Sequence, residues 1–78
     1  MKLLVRNLAR TTTENEIRDM FAEHGEVTGC DLVLDKETGL SKGFAFVEMS
    51  DEAEAKVALK ALHESRVAKS KIRVKEAQ

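Results

Sequence analysis

The sequence predicts a small α+β fold in which two helices cover one face of a four-stranded antiparallel sheet. Short apolar-rich segments typical of strands alternate with segments whose apolar residues recur at helical spacing, in the order βαββαβ. The four predicted strands cover residues 2–6, 27–34, 43–49 and 71–75. A chain of 78 residues is shorter than most domains, so we expect residues 1–78 to form one domain with a modest core.

A capping box marks the start of the first predicted helix. Thr13 and Glu16 have the spacing at which a hydroxyl and a carboxylate satisfy free amides of the first helical turn. The apolar residues that follow on one helical face are Ile17, Met20 and Phe21. Gly25 is the expected end of this helix, because glycine is common just past a helical terminus.

The second predicted helix combines a cap with an apolar repeat. Ser50 or Asp51 is placed to cap it, and its apolar face consists of Ala55, Ala58, Leu59 and Leu62. Residues 35–41 are polar, contain Gly39, and predict a hairpin loop between the second and third strands. Since each helix has one narrow apolar stripe, both helices are expected on the same face of the sheet, with the other face open. This is a ferredoxin-like sandwich.

Side-chain alternation assigns the strand residues to the two faces of the sheet. The residues predicted to point toward the helices are Cys30, Leu32, Leu34, Ala45, Val47, Met49, Ile72 and Val74. The residues predicted to lie on the open face are Leu4, Arg6, Asp31, Val33, Lys42, Phe44, Phe46, Glu48, Lys71, Arg73 and Lys75. Aromatic and cationic side chains are therefore expected together on one accessible surface.

The net charge of −1 hides an uneven distribution of charge along the chain. Residues 14–26 carry five acidic side chains and one basic one, and residues 51–64 carry four and two. The remaining residues carry ten basic and five acidic side chains. Because the two acidic segments are the predicted helices, the sheet side of the molecule is expected to be basic.

Exposed aromatic rings interleaved with cations favour the binding of single-stranded nucleic acid. Unpaired bases stack on such rings, and lysine and arginine neutralise the phosphates. A core position is the ordinary expectation for a phenylalanine, but here Ala45, Val47 and Met49 already supply the core side of the third strand. Phe44 and Phe46 are therefore predicted to be the stacking platform.

Two segments resemble the signature of a known family. The octet Lys-Gly-Phe-Ala-Phe-Val-Glu-Met at residues 42–49 agrees with the pattern of the RNA recognition motif at seven of eight positions. The hexamer Leu-Leu-Val-Arg-Asn-Leu at residues 3–8 agrees with the second motif of that family except at Leu4. The chain is similar to an RNA recognition motif domain along its whole length, and single-stranded RNA is the partner that this resemblance implies.

The resemblance also implies a role for individual positions. Phe46 would stack beneath a base, Phe44 would lie against the sugars of two nucleotides, and Lys42 would contact a phosphate. Contacts with phosphates or base edges would come from Arg6, Arg73 and Lys75.

The open face and the core each differ from what is usual in the family. Leu4 stands where a second stacking aromatic is usual, so we expect weak binding, about micromolar or poorer. Met49 replaces the last aromatic of the octet, but it faces the core. Asp31 and Glu48 place carboxylates on the open face, where they repel phosphates unless they accept hydrogen bonds from base amino groups.

Other functions remain open at this point. The acidic helices could dock a protein partner, and single-stranded DNA could replace RNA on the same surface. We do not expect an enzyme or a cofactor, because the sequence shows no nucleophile–base pair, and His24, His63 and Cys30 lack the spacing of a metal site. With no apolar segment of membrane length and no signal-peptide pattern, we expect a protein that is not secreted and lies in the cytoplasm, or in the nucleus if the source is eukaryotic. We also expect a monomer that has no membrane partner.

Overall fold

The computed structural model describes residues 1–77. Its elements are β1 Lys2–Arg6, α1 Glu14–Ala22, β2 Val27–Leu34, β3 Ser41–Met49, α2 Glu52–Leu62, β4 Arg66–Val67, β5 Ser70–Lys71 and β6 Arg73–Ala77. The main sheet is antiparallel with strand order β2-β3-β1-β6, and β4 and β5 form a separate two-stranded hairpin. The predicted ferredoxin-like α+β fold is confirmed.

Both helices begin at the predicted caps. Thr13 and Glu16 form the complete capping box, in which the Glu16 amide donates to the Thr13 hydroxyl and the Thr13 amide donates to the Glu16 carboxylate. Asp51, rather than Ser50, caps α2 by accepting from two amides of its first turn. Helix α1 ends at Ala22, before the predicted Gly25.

The core lies between the helices and the inner face of the sheet. The third strand contributes Ala45, Val47 and Met49, all fully buried as the alternation predicts. The other fully or almost fully buried apolar side chains are Leu3, Val5, Leu8, Ile17, Phe21, Ala55, Ala58, Ile72 and Val74. Because the helices use their apolar faces for this packing, the opposite sheet face remains accessible.

The prediction that Leu34 lies in the core is wrong. Leu34 is 50% exposed rather than buried. The pairing of β2 with β3 shifts register between Leu32 and Leu34, which breaks the simple alternation at this end of the strand. Leu32 still packs against the core, whereas Leu34 lies at the end of the hairpin.

The last predicted strand, residues 71–75, is divided in the structure. Lys71 pairs with Arg66 in the hairpin, so it does not lie in the main sheet, and β6 begins at Arg73 and continues to Ala77. Ala68 and Lys69 form the hairpin turn with left-handed backbone conformations. The sequence does not predict these conformations, because neither residue is glycine. Ile72, between the two strands, is fully buried as predicted.

The thiol of Cys30 is expected to react slowly. Cys30 packs against the core, and its Sγ lies 3.7 Å from the carbonyl oxygen of Glu14. Burial, and next the negative charge of Glu14, raise the pKa of this thiol, so less thiolate is present at a given pH. We expect alkylation by iodoacetamide at mildly alkaline pH to be several-fold slower in the folded protein than in urea. Equal rates in the two states would contradict this account.

Candidate nucleic-acid interface

A row of four side chains crosses the open face of the main sheet. Phe46 on β3 lies directly opposite Asp31 on β2 and Leu4 on β1, and Leu4 in turn lies opposite Lys75 on β6. Residues paired in this way have their side chains within contact distance, at about 4.5–5.5 Å between Cβ atoms. Phe46 and Leu4 are half-buried, whereas Asp31 and Lys75 are exposed. An apolar centre is thus flanked by one negative and one positive charge.

The two phenylalanine rings form the aromatic part of this face. The centroids of Phe44 and Phe46 are 6.2 Å apart and their planes are nearly perpendicular, at 89°. This edge-to-face geometry is energetically favourable for two aromatic rings, and the faces of the two rings point in different directions. The pair therefore offers two differently oriented apolar surfaces.

Lys2 is an open-face residue that our sequence analysis did not single out. Its Nζ lies 5.1 Å from the centroid of Phe46, within the range of a cation–π contact. The alternation that places Leu4 and Arg6 outward applies equally to Lys2, so the strand pattern contained the signal. The Lys2 ammonium group thus places a hydrogen-bond donor next to the ring on which a base is predicted to stack.

A basic groove borders Phe44. It has a volume of about 290 Å³, and its charged lining consists of Arg6, Arg10 and Lys42. Arg10 was not predicted, because it lies in the loop before α1, where no periodic rule assigns a direction to a side chain. Two residues of its lining are joined by a backbone hydrogen bond, in which the Leu8 amide donates to the Gly43 carbonyl at 2.8 Å. Three cationic side chains beside an aromatic ring form a suitable binding site for a phosphate group of a nucleic acid.

The backbone conformation favours glycine at position 43, in the lining of this groove. Gly43 has a φ of 89°, in the region that side-chain-bearing residues avoid, so a substitution there would strain the backbone. This explains in physical terms the glycine that precedes the first phenylalanine of the octet.

A second groove lies between β1, β6 and the end of α2. It measures about 470 Å³ and brings together three of the predicted contact residues, Arg6, Arg73 and Lys75. His63 also lines this groove, and its Nδ1 accepts a hydrogen bond from the Val74 amide at 3.0 Å. That hydrogen bond holds the imidazole against β6.

The chain leaves β1 through a fixed turn at the border of both grooves. Asn7 adopts a left-handed backbone conformation, with φ of 61°, which asparagine tolerates better than most residues. Its Nδ2 donates to the Lys71 carbonyl at 2.7 Å, and so ties the end of β1 to the hairpin. Arg6 comes just before this turn and Arg10 follows it in the chain.

The loop between β2 and β3 carries a carboxylate near the basic groove. The amides of Glu37 and Thr38 donate to Asp35, and these hydrogen bonds are the main reason that the pKa of Asp35 is below its ordinary value. The positive charges of Lys42 and Arg10 lower this pKa further. Asp35 therefore remains ionised and orders the hairpin loop.

The eight residues predicted to form the binding site are distributed along this face. The aromatic and apolar centre contains Leu4, Phe44 and Phe46, and the basic grooves contain Arg6, Lys42, Arg73 and Lys75. Glu48 is exposed opposite Lys2, at the other end of β3.

Within residues 1–77, no three histidine, cysteine or carboxylate side chains are grouped so that they could hold a metal ion. Neither helix described here is long and apolar enough to cross a membrane.

Comparison with known proteins assigns the family. The sequence profile described as RNA recognition motif matches residues 3–73. The chain belongs to the RNA recognition motif family. This RNA recognition motif is 38% identical over 73 residues to glycine-rich RNA-binding protein 1 of Mycosarcoma maydis, which covers 94% of the chain and 42% of that protein. Among the most similar curated relatives, the chain spans between 8% and 60% of their length.

Solved structures share the same architecture. The crystal structure of RNA binding protein PG1 superposes on this RNA recognition motif with a TM-score of 0.95 at 38% identity, and covers 99% of this chain and 93% of that one. The protein in the Sxl-lethal protein/RNA complex superposes with a TM-score of 0.93 at 30% identity, and covers 99% of this chain and 46% of that one.

Proposed function

We propose that this RNA recognition motif binds single-stranded RNA on the open face of its sheet. The observation that carries the proposal is the pair of accessible rings, Phe44 and Phe46, in the centre of a face bordered by basic grooves. A base stacks on Phe46, and the sugars of two nucleotides lie against Phe44. Aromatic rings of this kind accept any base, because every base has a π-face.

The cations around the rings position the RNA backbone. Lys42, with Arg6, contacts a phosphate in the groove beside Phe44, and Arg73 and Lys75 contact phosphates or base edges on β6. Such contacts make the affinity depend on salt, because each neutralised phosphate releases counterions. These phosphate contacts fix the position of the RNA on the sheet, and the choice of base depends on groups that contact the base edges.

The proposed binding is weak for a lone domain. Each stacked base contributes about 1–3 kcal/mol, whereas a micromolar dissociation constant requires about 8 kcal/mol. With one full platform at Phe46, a partial one at Leu4 and a few phosphate contacts, the dissociation constant is expected to be micromolar or higher.

Fluorescence anisotropy tests this proposal. Labelled single-stranded RNA octamers of mixed sequence should bind with micromolar or weaker affinity, and the affinity should fall as salt is raised. A sub-nanomolar dissociation constant at physiological salt would contradict the weak-binding estimate, and silence at millimolar RNA would contradict RNA binding itself. DNA octamers of the same sequence show whether the 2′-hydroxyl matters. If neither nucleic acid binds, a protein partner on the acidic helix side becomes the leading alternative.

An aromatic residue at position 4 is expected to strengthen binding. Leu4 lies beside Phe46 on the open face and is half-buried, so Leu4→Phe adds a ring without disturbing the fully buried core. We expect RNA affinity to rise about tenfold, within the range of one added stacking contact. Leu4→Ala serves as the control and should weaken binding by less than that factor. A folded Leu4→Phe variant that binds no tighter would refute the role assigned to this position.

A further inference from the structure

Two carboxylates stand beside the ring on which the base is proposed to stack. Asp31 lies directly opposite Phe46 on the neighbouring strand, and Glu48 lies two residues further along β3 on the same face. A shallow pocket of about 140 Å³ is lined by both carboxylates, Phe46 and Lys2. A base that displaced the Lys2 ammonium group from its position over the ring would have two acceptor groups and that ammonium donor around its edge.

Within the part of the chain that the structure describes, neither carboxylate has a side-chain partner. Among residues 1–77 the side chains of Asp31 and Glu48 form no ion pair, and no hydrogen bond reaches their oxygens from another residue. Lys2 is opposite Glu48 in register, yet its ammonium group lies over the Phe46 ring. A base seated on the ring would exclude water from these oxygens, which favours a base with N–H groups to donate.

The cations of the open face are concentrated elsewhere. Arg6, Arg10 and Lys42 line the groove beside Phe44, whereas Asp31 and Glu48 flank Phe46. Phosphates are attracted to the first region and repelled from the second. The carboxylates are thus placed to contact a base edge and not the RNA backbone.

We propose that Asp31 and Glu48 select a base with an exocyclic amino group on Phe46, with guanine as the best fit. This inference rests on the proposed RNA binding. Guanine presents adjacent N1–H and N2–H donors, which match the two oxygens of one carboxylate, and its O6 and N7 accept from an ammonium group such as that of Lys2. Uracil presents a single N–H between two carbonyl oxygens, and those oxygens repel a carboxylate.

The test compares two RNAs and three proteins. The RNAs are heptauridylate and the same heptamer with one central guanosine, and binding is measured by anisotropy at low salt. The wild-type protein should bind the guanosine-containing heptamer about tenfold more tightly, as expected for a good two-point contact with a base. In the double variant Asp31→Asn with Glu48→Gln, affinity for heptauridylate should rise, affinity for the guanosine heptamer should fall, and the ratio should approach one.

A matched charge control separates base recognition from simple repulsion. Asp19→Asn with Glu23→Gln removes the same two charges at exposed positions on and just after α1, and should leave the tenfold ratio unchanged. The inference is overturned if wild-type protein binds both heptamers equally, or if the Asp31 and Glu48 variant tightens both by the same factor. Those outcomes leave RNA binding intact, whereas failure to bind any RNA would overturn the proposed function as well.

Discussion

Phe46→Ala is expected to weaken RNA binding by about 5- to 150-fold, which corresponds to about 1–3 kcal/mol for one stacking contact. Phe46 occupies the centre of the open face, next to Leu4 and Phe44. Because Leu4 lacks a ring, no other aromatic side chain in that cross-strand row replaces the lost platform. The loss is measured by titrating a short single-stranded RNA at fixed low salt.

Two controls make this result specific to stacking. Phe46→Leu keeps apolar area but removes the π-face, and it should lose most of the same affinity. Val57→Ala truncates an apolar side chain that is 56% exposed on α2, and it should leave binding unchanged. If Phe46→Ala bound RNA like the wild-type protein while it remained folded, the base would not lie on this ring.

Phe21→Ala is expected to lower the free energy of unfolding by about 3–5 kcal/mol. The Phe21 ring is fully buried where α1 packs on the inner face of the sheet, so its removal loses apolar burial and leaves a cavity. A domain of this size has a total stability of about 4–12 kcal/mol. The substitution is therefore expected to remove at least about a quarter of that stability, and all of it if the total is near the lower end of this range.

Urea denaturation followed by circular dichroism measures this loss. Phe46→Ala is the matched control, because it deletes the same ring from a half-buried position on the open face and should cost much less stability. The two phenylalanine substitutions should thus separate stability from binding. A Phe21→Ala loss below about 1 kcal/mol would contradict the placement of this ring in the core.

Most of the fold was predictable because strand and helix periods assign side chains to faces. The alternation in β3 placed Ala45, Val47 and Met49 in the core, and all three are fully buried. The rule failed where the backbone departs from regular geometry. Leu34 follows a register shift in β2, and the β4–β5 hairpin depends on left-handed backbone at residues other than glycine. Both features depend on local backbone geometry that no periodic pattern encodes.

In the candidate site too, residues on regular strands were predicted, whereas a loop residue and a side-chain contact were not. Positions on strands, such as Phe44 and Phe46, were assigned to the open face by alternation, once the aliphatic residues between them had been assigned to the core. Arg10 was missed because it lies in a loop and joins Lys42 and Arg6 only after the chain turns at Asn7. The contact between Lys2 and Phe46 depends on the conformation of a long flexible side chain, which the sequence does not specify.

The most direct test of RNA binding on the open face is an NMR titration with a short single-stranded RNA. The ring protons of Phe44 and Phe46 should shift upfield as bases and sugars approach, together with the amides of Arg6, residues 42–48 and residues 73–75. These shifts should weaken when salt is added, since phosphate contacts are screened. Shifts confined to α1 and α2, with the two rings unperturbed at saturating RNA, would contradict the account and move the interface to the helix side.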